Sequence, residues 1–344
     1  MHADAKRPGR RAALAALALP PLAAWGSARA RAADAPMDAA SLLVAGPEDG
    51  ALDRWSRVLH PALACGLPPE VALSKELAGG ADGVTAANRF AVAGDPDGTT
   101  AMLVSGAPAL AALLGDPRAR YDAGAWVSVL GCAAPGVVMA RPGAIAAKRE
   151  VRIHAASFAS PDIAALAGIE MLGAASGNGT ARAPDARAKA VAQGAADAVL
   201  VSGHRAAERA AALAAWGMAP AFSLGVSGAE GRAARDGDFP AVPTLPEAAP
   251  GADGAMREAW EAAAAAARLE FAVVLPRAAP AARMAVWRQA ASEAIKSLEM
   301  QALALSLGLR AADGQAAPGF VAAGARSVAA LRAWLKTRYG WQAG

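Results

Sequence analysis

Residue types that commonly perform catalysis are few and widely separated in this sequence. The histidines His60, His154 and His204 stand alone, each more typical of a core or surface histidine than of a catalytic base. There is no G-x-S-x-G elbow for a nucleophilic serine, no G-x-G-x-x-G after a predicted strand and no Walker motif. The 2 cysteines and 4 histidines show no metal-ligand spacing. We therefore predict a protein without catalytic chemistry, metal or cofactor.

A loop rich in turn-forming residues offers binding chemistry instead. Pro47, Glu48, Asp49 and Gly50 follow an apolar run at 41–45 and precede a segment with apolar residues at helical spacing. A loop between a strand and a helix N-terminus points free backbone N–H groups outward, and the helix dipole favours an anion there. Gly50 would let a ligand approach the backbone closely. The alternative is that the glycines and the proline only turn the chain.

The elements around this loop alternate between strands and helices, which indicates an α/β fold with a mainly parallel sheet. The turn at Ala134-Pro135-Gly136 divides one long apolar region at 126–140 into two strands. Strands are predicted at 41–45, 71–73, 100–105, 151–156, 198–202, 220–226 and 271–275, and helices at 51–64, 86–92, 161–172, 186–192, 205–215, 260–268, 281–308 and 321–339.

The N-terminus has the layout of a cleaved secretory signal spanning residues 1–33. A basic start is followed by an apolar segment at 12–25 and by small residues with Ala-Arg-Ala repeats. The pair Arg10-Arg11 also permits a twin-arginine export route. A retained membrane anchor is the alternative, but the apolar segment is short for a spanning helix.

The predicted leader also decides what the net charge means. The whole chain has 34 basic and 30 acidic side chains, and cleavage after Ala33 would remove 6 basic and 1 acidic, leaving 28 against 29 and a net charge of −1. A mature chain near neutrality lacks the positive surface that phosphate binding needs, so we predict no nucleic-acid partner.

The two cysteines leave two interpretations open. In an oxidising compartment Cys65 and Cys132 could pair. Each also stands among apolar neighbours, where buried free thiols are common, and we favour two buried thiols.

Several local patterns, in a fixed order from about residue 41 onward, resemble one family. Residues 44–53 resemble its V-P-F-P-P-G-G-A-T-D, residues 94–103 its A-P-D-G-Y-T-L-L, and residues 121–130 its Y-D-P-x-x-D-F-x-P-V-S. Residues 239–248 are similar to its L-P-D-V-P-T-x-x-E-A, and Leu275-Pro276 to its L-A-P-x-G-T-P. The family comprises the periplasmic solute-binding proteins of tripartite tricarboxylate transporters, also called Bug-type receptors, of which this chain resembles a diverged member.

The resemblance implies a two-lobed, type II-like periplasmic binding protein whose mainly parallel sheets, flanked by helices, enclose a ligand cleft. The first lobe would comprise residues 41–137 and 270–344, including both C-terminal helices, and the second lobe residues 138–269, with crossing strands near 130–140 and 220–275. It implies a monomer in the periplasm that binds a di- or tricarboxylate, an amino acid or an aromatic acid. Its partners would be the membrane permease subunits.

By resemblance, further segments face this cleft. Gly79, Gly80 and Asp82 stand where the family has R-P-G-A-G-G-N, and Ser105 follows the third strand. Ser157 and Ser160 stand where the family has Y-A-S-x-G-N-G-S-S. A second segment matches S-G-N-G-S more closely but comes one element too late, so we expect it in the following loop; it contributes Ser176, Asn178 and Thr180.

Two departures put the charge of the ligand in doubt. Glu48 and Asp49 replace a Pro and a Gly of the family pattern, and their carboxylates would repel a ligand carboxylate nearby. Either both side chains point to solvent, or the ligand carries a positive or hydrogen-bond-donating group. A ligand sensor or protein-binding scaffold on the same fold is an alternative function, and a periplasmic hydrolase a less favoured one.

Overall fold

The structure is a computed structural model that describes residues 37–93, 97–147, 149–155, 160–180, 189–227, 233–314, 317 and 319–343. The predicted leader at 1–33 lies outside these residues. In chain order the first elements are β1 (Ala39–Val44), α1 (Ala51–Gly66), β2 (Ala72–Leu77), α2 (Val84–Ala93), β3 (Thr100–Val104), α3 (Ala107–Leu114), β4 (Trp126–Ala133), β5 (Gly136–Ala140), β6 (Val151–Ala155), α4 (Ile163–Met171) and β7 (Ser176–Thr180). The remaining elements are β8 (Ala198–Ser202), α5 (Ala206–Ala214), β9 (Ala219–Ser223), β10 (Val226–Ser227), β11 (Ala233–Ala234), α6 (Leu245–Ala248), α7 (Gly254–Arg268), β12 (Leu269–Pro276), α8 (Ala281–Lys296), α9 (Leu298–Leu307), β13 (Arg310–Asp313) and α10 (Ala325–Tyr339).

Two sheets organise the described residues into two lobes. The first lobe is built on a six-stranded sheet of order β13-β4-β12-β3-β1-β2, and the second on a five-stranded sheet of order β7-β6-β8-β5-β9. Both sheets are mixed. In the first, β1 to β4 run one way while β12 and β13 run antiparallel to β4; in the second, β5 runs against the others. The expectation of mainly parallel sheets therefore holds only for the strands that do not adjoin the lobe crossing.

Two neighbouring crossings join the sheets of the two lobes. Outward, β4 continues through Ala134 and Pro135 into β5. The return passes from α7 directly into β12, where the Ala134 N–H donates to the Arg268 carbonyl at 2.8 Å. Beside these strands, the Gly203 N–H after β8 donates to the Pro135 carbonyl at 3.2 Å. The C-terminal ends of β1, β2 and β3 therefore face the C-terminal ends of β6, β7 and β8.

The hydrophobic cores follow the two sheets. The first is centred on Trp55, Phe271 and Trp287, with α1 and α8 packed together on one face of the first sheet. The second is centred on Phe222 and Trp260, whose indole N–H donates to the Ala164 carbonyl at 2.8 Å. A third, smaller cluster lies between α5 and the opposite face of the second sheet.

Two differences from the sequence interpretation have local causes. The helix predicted at 281–308 is divided into α8 and α9, because Ser297 adopts an extended backbone and its hydroxyl accepts the Met300 N–H at 3.3 Å. The segment 176–180, expected as a loop, forms strand β7 in parallel register with β6. Residues 176–180 have low strand propensity, and they form a strand because they pair with the buried strand β6.

The C-terminal helix α10 packs differently from α8 and α9. Leu331 and Leu335 lie in the second core, where α10 contacts α7 and α3. The Arg332 guanidinium donates to the carbonyls of Ala112 and Leu113 at 2.9 and 3.1 Å, which caps the end of α3. We expected both C-terminal helices on the first sheet, whereas α10 joins the second core through its leucine stripe.

The cysteines are free thiols, Cys132 buried and Cys65 exposed. The expectation that both are buried is therefore wrong for Cys65, which lies on the outer face near the end of α1. None of the described helices combines the length and the apolar character needed to cross a bilayer.

Candidate ligand-binding site

Three loops of the first lobe meet at one edge of its sheet. They follow β1, β2 and β3, which are parallel neighbours and therefore end side by side. Gly83, in the second loop, has a φ of +72°, and a Cβ there would lie 3.0 Å from Pro108 Cγ and 3.4 Å from the Ala45 carbonyl oxygen. The three loops are thus in direct contact, and they face the second lobe across the crossing.

The first loop opens α1 without a side-chain cap. Gly50 is the N-cap residue, in an extended conformation, and its own N–H donates to the Pro47 carbonyl at 3.1 Å. The N–H groups of the first helical turn have no partner within a helix, so they can bind an anion. Pro47 is exposed and Gly50 half-buried, which leaves this helix start open to solvent.

A charge network just behind the first loop is centred on Asp53. The buried Asp53 carboxylate accepts hydrogen bonds from Arg57 at 2.8 Å and from Lys75 at 3.1 Å. It also accepts the Asp49 N–H at 3.0 Å. The hydrogen bond from Arg57 is the largest of the effects that hold the pKa of Asp53 far below its usual range, against the opposing effect of burial.

Asp49 and Glu48 both have exposed side chains. Asp49 has a φ of +58°, the left-handed conformation that glycine adopts most easily, and its carboxylate forms an ion pair with Arg57. The family pattern has glycine at this position. The charge of Asp49 is therefore directed to the helix surface and compensated there, which removes much of the expected repulsion of a ligand carboxylate.

The second loop is shaped by glycines and fixed by one arginine. Gly79 and Gly80 have φ values of +52° and +80° and are exposed. The Asp82 carboxylate accepts the Val84 N–H at 3.2 Å, which starts α2, and forms an ion pair with Arg118 at 2.8 Å. Asp82 thus has a structural role in holding the loop, while the backbone of the two glycines stays open.

The third loop is set by a close contact between backbones. Ser105 is half-buried, and its hydroxyl lies 3.4 Å from the Ala107 N–H at the start of α3. A Cβ on Gly106 would lie only 1.8 Å from the Ala266 carbonyl oxygen near the end of α7. Only glycine fits there, so Gly106 seats the loop against the helix that leads back to the first lobe.

The second-lobe residues are only partly described. Ser157 lies outside the described residues. Ser160 is buried and donates to the Asp162 carboxylate at 3.0 Å before α4. Asn178 and Thr180 lie on β7, with Thr180 in register with Ala155 at the end of β6 that faces the first lobe.

Ser176 occupies the opposite end of β7, four residues or about 13 Å from Thr180 at the usual rise of a strand. Its hydroxyl contacts Glu170 at 3.1 Å and also the Tyr339 hydroxyl, and its carbonyl accepts a hydrogen bond from Tyr339 at 2.8 Å. The structure therefore separates Ser176 from the other predicted ligand residues and gives it a role in anchoring α10.

Sequence reasoning missed a charged cluster at the crossing. Glu270, the second residue of β12, is half-buried, and its Oε2 would lie 3.7 Å from a Cβ on Gly203. Burial is the largest effect on the pKa of Glu270 and raises it, against a hydrogen bond from Trp55 and the charges of His204 and Arg209. No sequence motif marks this glutamate, because its neighbours come from three separate elements.

A surface cavity of about 690 Å³ opens at the far end of the second sheet, away from the lobe boundary. Its lining is mostly apolar and includes Arg141, whose guanidinium already donates to the Val191 carbonyl at 2.6 Å. Within the described residues, no group of three or more His, Cys, Asp or Glu side chains could hold a metal ion. The lobe boundary is therefore the better candidate for a ligand site.

Comparison with solved structures supports this architecture. A TctC solute-binding protein from Polaromonas, crystallised without ligand, has a TM-score of 0.63 and 19% sequence identity over 87% of this chain and 98% of that chain. This chain has the fold of the solute-binding proteins of tripartite tricarboxylate transporters.

Two further solved structures match this chain with lower TM-scores. A periplasmic transporter has a TM-score of 0.50 at 14% identity, over 87% of this chain and 95% of that chain. The periplasmic binding protein BugD has a TM-score of 0.48 at 14% identity, over 89% of this chain and 95% of that chain. No protein-family model matches the sequence, and the search of curated proteins also gave no match.

Proposed function

We propose that this protein is an extracytoplasmic solute-binding protein that captures a small carboxylated metabolite between its lobes and delivers it to a tripartite tricarboxylate-type permease. The convergence of the loops after β1, β2 and β3, opposite the C-terminal ends of β6 to β8, carries this proposal. Ligands of open α/β sheets bind outside the carboxyl ends of the strands. An N-terminal leader of residues 1–33 would export the chain to the periplasm.

Recognition in this proposal rests on backbone donors and hydroxyls. The first-turn N–H groups of α1, together with the open backbone at Gly79 and Gly80, receive a ligand carboxylate. Ser105 adds a hydroxyl from the first lobe, and Ser160, Asn178 and Thr180 come from the second lobe. Ser157 is included by the family resemblance alone. Hinge closure at the two crossings then encloses the ligand.

Purified mature protein, starting after residue 33, tests the binding role directly. Native mass spectrometry should detect a co-purified small acid. A thermal-shift screen of di- and tricarboxylates, aromatic acids and amino acids should raise the unfolding temperature for one class only. If no compound co-purifies and no acid raises the unfolding temperature at millimolar concentration, the binding role is contradicted.

A matched pair of variants tests the location. Ser105→Ala should weaken binding about fivefold, the effect of one lost neutral hydrogen bond. Ser306→Ala removes an exposed hydroxyl on α9 that donates to the Leu303 carbonyl, and should leave affinity unchanged. Equal affinities in the two variants would place the ligand elsewhere. Small-angle scattering should also show a smaller radius of gyration once ligand is added.

Delivery to a permease is a separate claim with its own test. Deleting the gene for this protein should abolish uptake of the identified ligand in cells that contain a tripartite tricarboxylate-type permease pair. Uptake that persists without the binding protein would contradict delivery while leaving ligand binding intact.

A further inference from the structure

Glu270 occupies a position where a bound ligand and both lobes meet. It is the second residue of β12, immediately after the return crossing at Arg268–Leu269. On one side stands Trp55, in the second turn of α1, the helix whose open N-terminus begins at Gly50. On the other side stands Gly203, which follows β8 of the second lobe. Glu270 is therefore a carboxylate of the first lobe that faces the second lobe.

Two basic side chains stand near Glu270, but neither forms an ion pair with it within the described residues. His204 and Arg209 of the second lobe act on it electrostatically, and Cys132 of β4 is a further titratable neighbour. No ion pair joins Glu270 to a basic side chain in the described part of the chain. Arg209 donates instead to the Ser202 carbonyl. Burial outweighs these neighbours and raises the pKa of the Glu270 carboxyl.

The structural carboxylates of this protein are arranged in the opposite way. Asp197 lies just before β8, and its carboxylate forms ion pairs with Arg152 at 2.8 Å and Arg149 at 3.2 Å. These pairs, the one with Arg152 above all, hold the pKa of Asp197 far below its usual range. A half-buried carboxylate that has no ion pair costs folding free energy unless a ligand supplies a closer cation. Such unfavourable placements concentrate at functional sites.

We propose that Glu270 receives a protonated amino group of the ligand, so that the captured solute is an amino acid or a closely related amino-carboxylate. This inference rests on the proposed function, because the ligand carboxylate would sit at the start of α1. Trp55 links the two positions: it lies on that helix, is buried, and packs against Phe271 at an interplanar angle of 49° with ring centroids 4.6 Å apart. The cleft would then match a ligand that carries both a carboxylate and a protonated amino group.

Calorimetric titration with matched ligand pairs tests this selectivity. The pairs are aspartate and succinate, glutamate and glutarate, and phenylalanine and 3-phenylpropionate, whose members differ only in the amino group. For at least one pair, the wild type should bind the amino acid about tenfold more tightly, the effect of one charge-assisted hydrogen bond. Glu270→Gln should reduce that preference to less than about threefold by weakening the amino acid alone.

Two controls separate selectivity from folding. Glu299→Gln removes the same charge from an exposed position on α9 and should keep the wild-type preference. Glu270→Gln should unfold at the same temperature as the ligand-free wild type or about 2 °C higher, because it removes a charge that burial disfavours. A much lower unfolding temperature would show that Glu270 is a structural residue and would overturn the proposal.

The outcomes also distinguish this inference from the proposed function. Tighter binding of the deaminated acids by the wild type, or an unchanged preference in Glu270→Gln, overturns the role of Glu270 while the binding function stands. Failure of both members of every pair, and of all other carboxylates screened, overturns the binding function itself and this inference with it.

Discussion

Asp53 and Glu270 are carboxylates of the same lobe, and Trp55 lies close to both in space or sequence, yet their surroundings are opposite. Asp53 lies behind the first loop, and its carboxylate accepts hydrogen bonds from Arg57, Lys75 and the Asp49 N–H. Glu270 lies at the crossing and has no ion pair in the described residues. Burial acts on both, but the partners reverse its effect only at Asp53.

The difference separates scaffold from site. The charged side chains of Asp49, Asp53, Arg57 and Lys75 pair with one another. They fix the backbone of the first loop, and a charged group of the ligand must find its partner elsewhere in the cleft. At the crossing, Glu270 has no ion pair within the described residues, so its carboxylate is available to a ligand. Glu48 and Asp49, the acidic residues of the first loop, lie on the exposed rim of the scaffold.

The largest effect should come from removing the centre of the scaffold network. Asp53→Ala removes a buried carboxylate that accepts hydrogen bonds from Arg57, Lys75 and the Asp49 N–H, so we expect the free energy of unfolding to fall by about 3 kcal/mol. Urea denaturation at neutral pH measures it. Glu293→Ala, which breaks an exposed pair with Lys296, should cost less than about 0.5 kcal/mol. A loss from Asp53→Ala no larger than that of the control would contradict the scaffold role.

The two kinds of carboxylate should respond to pH with opposite sign. The pKa values of Asp53 and Asp197 are lowered in the folded state, so their stabilisation is present above the unfolded aspartate pKa of about 4 and is lost as pH falls below it. Glu270 has a raised pKa, so its contribution falls as pH rises above the unfolded glutamate pKa of about 4.3.

Urea denaturation between about pH 3 and pH 8 separates these contributions. Asp53→Asn should flatten the loss of stability on the acid side. Glu270→Gln should instead follow the wild type at low pH and become progressively more stable than it as pH rises above the unfolded glutamate pKa of about 4.3. Identical acid slopes in wild type and Asp53→Asn would contradict the lowered pKa of Asp53.

Local patterns predict most of the strands and turns well and the contacts between distant side chains poorly. The strand, loop and helix at 41–64, the break at Pro135 and the strand at 271–275 correspond to β1–α1, the β4–β5 turn and β12. Each depends on periodicity or a turn residue within a few positions. The break at Ser297 was missed because the apolar spacing continues through it, while its capping hydrogen bond depends on backbone geometry.

Long-range contacts set the limits of the sequence interpretation. Ser176 belongs to a good S-G-N-G-S match, but its hydroxyl is used by Glu170 and Tyr339, the latter 163 positions away. Glu270 carries no motif and acquires its position only when β12 pairs with β4 and the end of β8 comes alongside. A sequence shows which residues are charged; the topology decides which charges are left without partners.

Arg268 extends the comparison to a buried cation at the crossing. It is 8% exposed, its Nε has no hydrogen-bond partner among the described residues, and burial lowers its pKa despite the charge of Asp236. Arg268→Met keeps the apolar stem and removes the charge, so we expect the free energy of unfolding to stay the same or rise by about 1 kcal/mol. Chemical denaturation without ligand measures it.

A matched arginine gives the contrast. Arg332→Met removes a guanidinium that donates to two carbonyls at the end of α3, and should lower the free energy of unfolding by about 2 kcal/mol. If Arg268→Met is as destabilising as Arg332→Met, the charge of Arg268 stabilises the fold. The contrast between stabilising charges, such as Asp53, and charges available to a ligand, such as Glu270, would then not apply to Arg268.

The smallest effect is expected at the exposed rim of the first loop. Asp49→Gly releases the left-handed strain at a φ of +58° but removes the exposed ion pair with Arg57. Each contribution is below about 1 kcal/mol and they oppose each other, so stability should change by less than about 0.5 kcal/mol. Ligand affinity should also hold, because glycine keeps the backbone N–H that Asp53 accepts. Asp49→Val, which suits the left-handed region poorly, should cost about 1–2 kcal/mol. If Asp49→Gly proved as destabilising as Asp49→Val, the carboxylate of Asp49 rather than its backbone would hold the loop, and the scaffold network would reach the surface that a ligand touches.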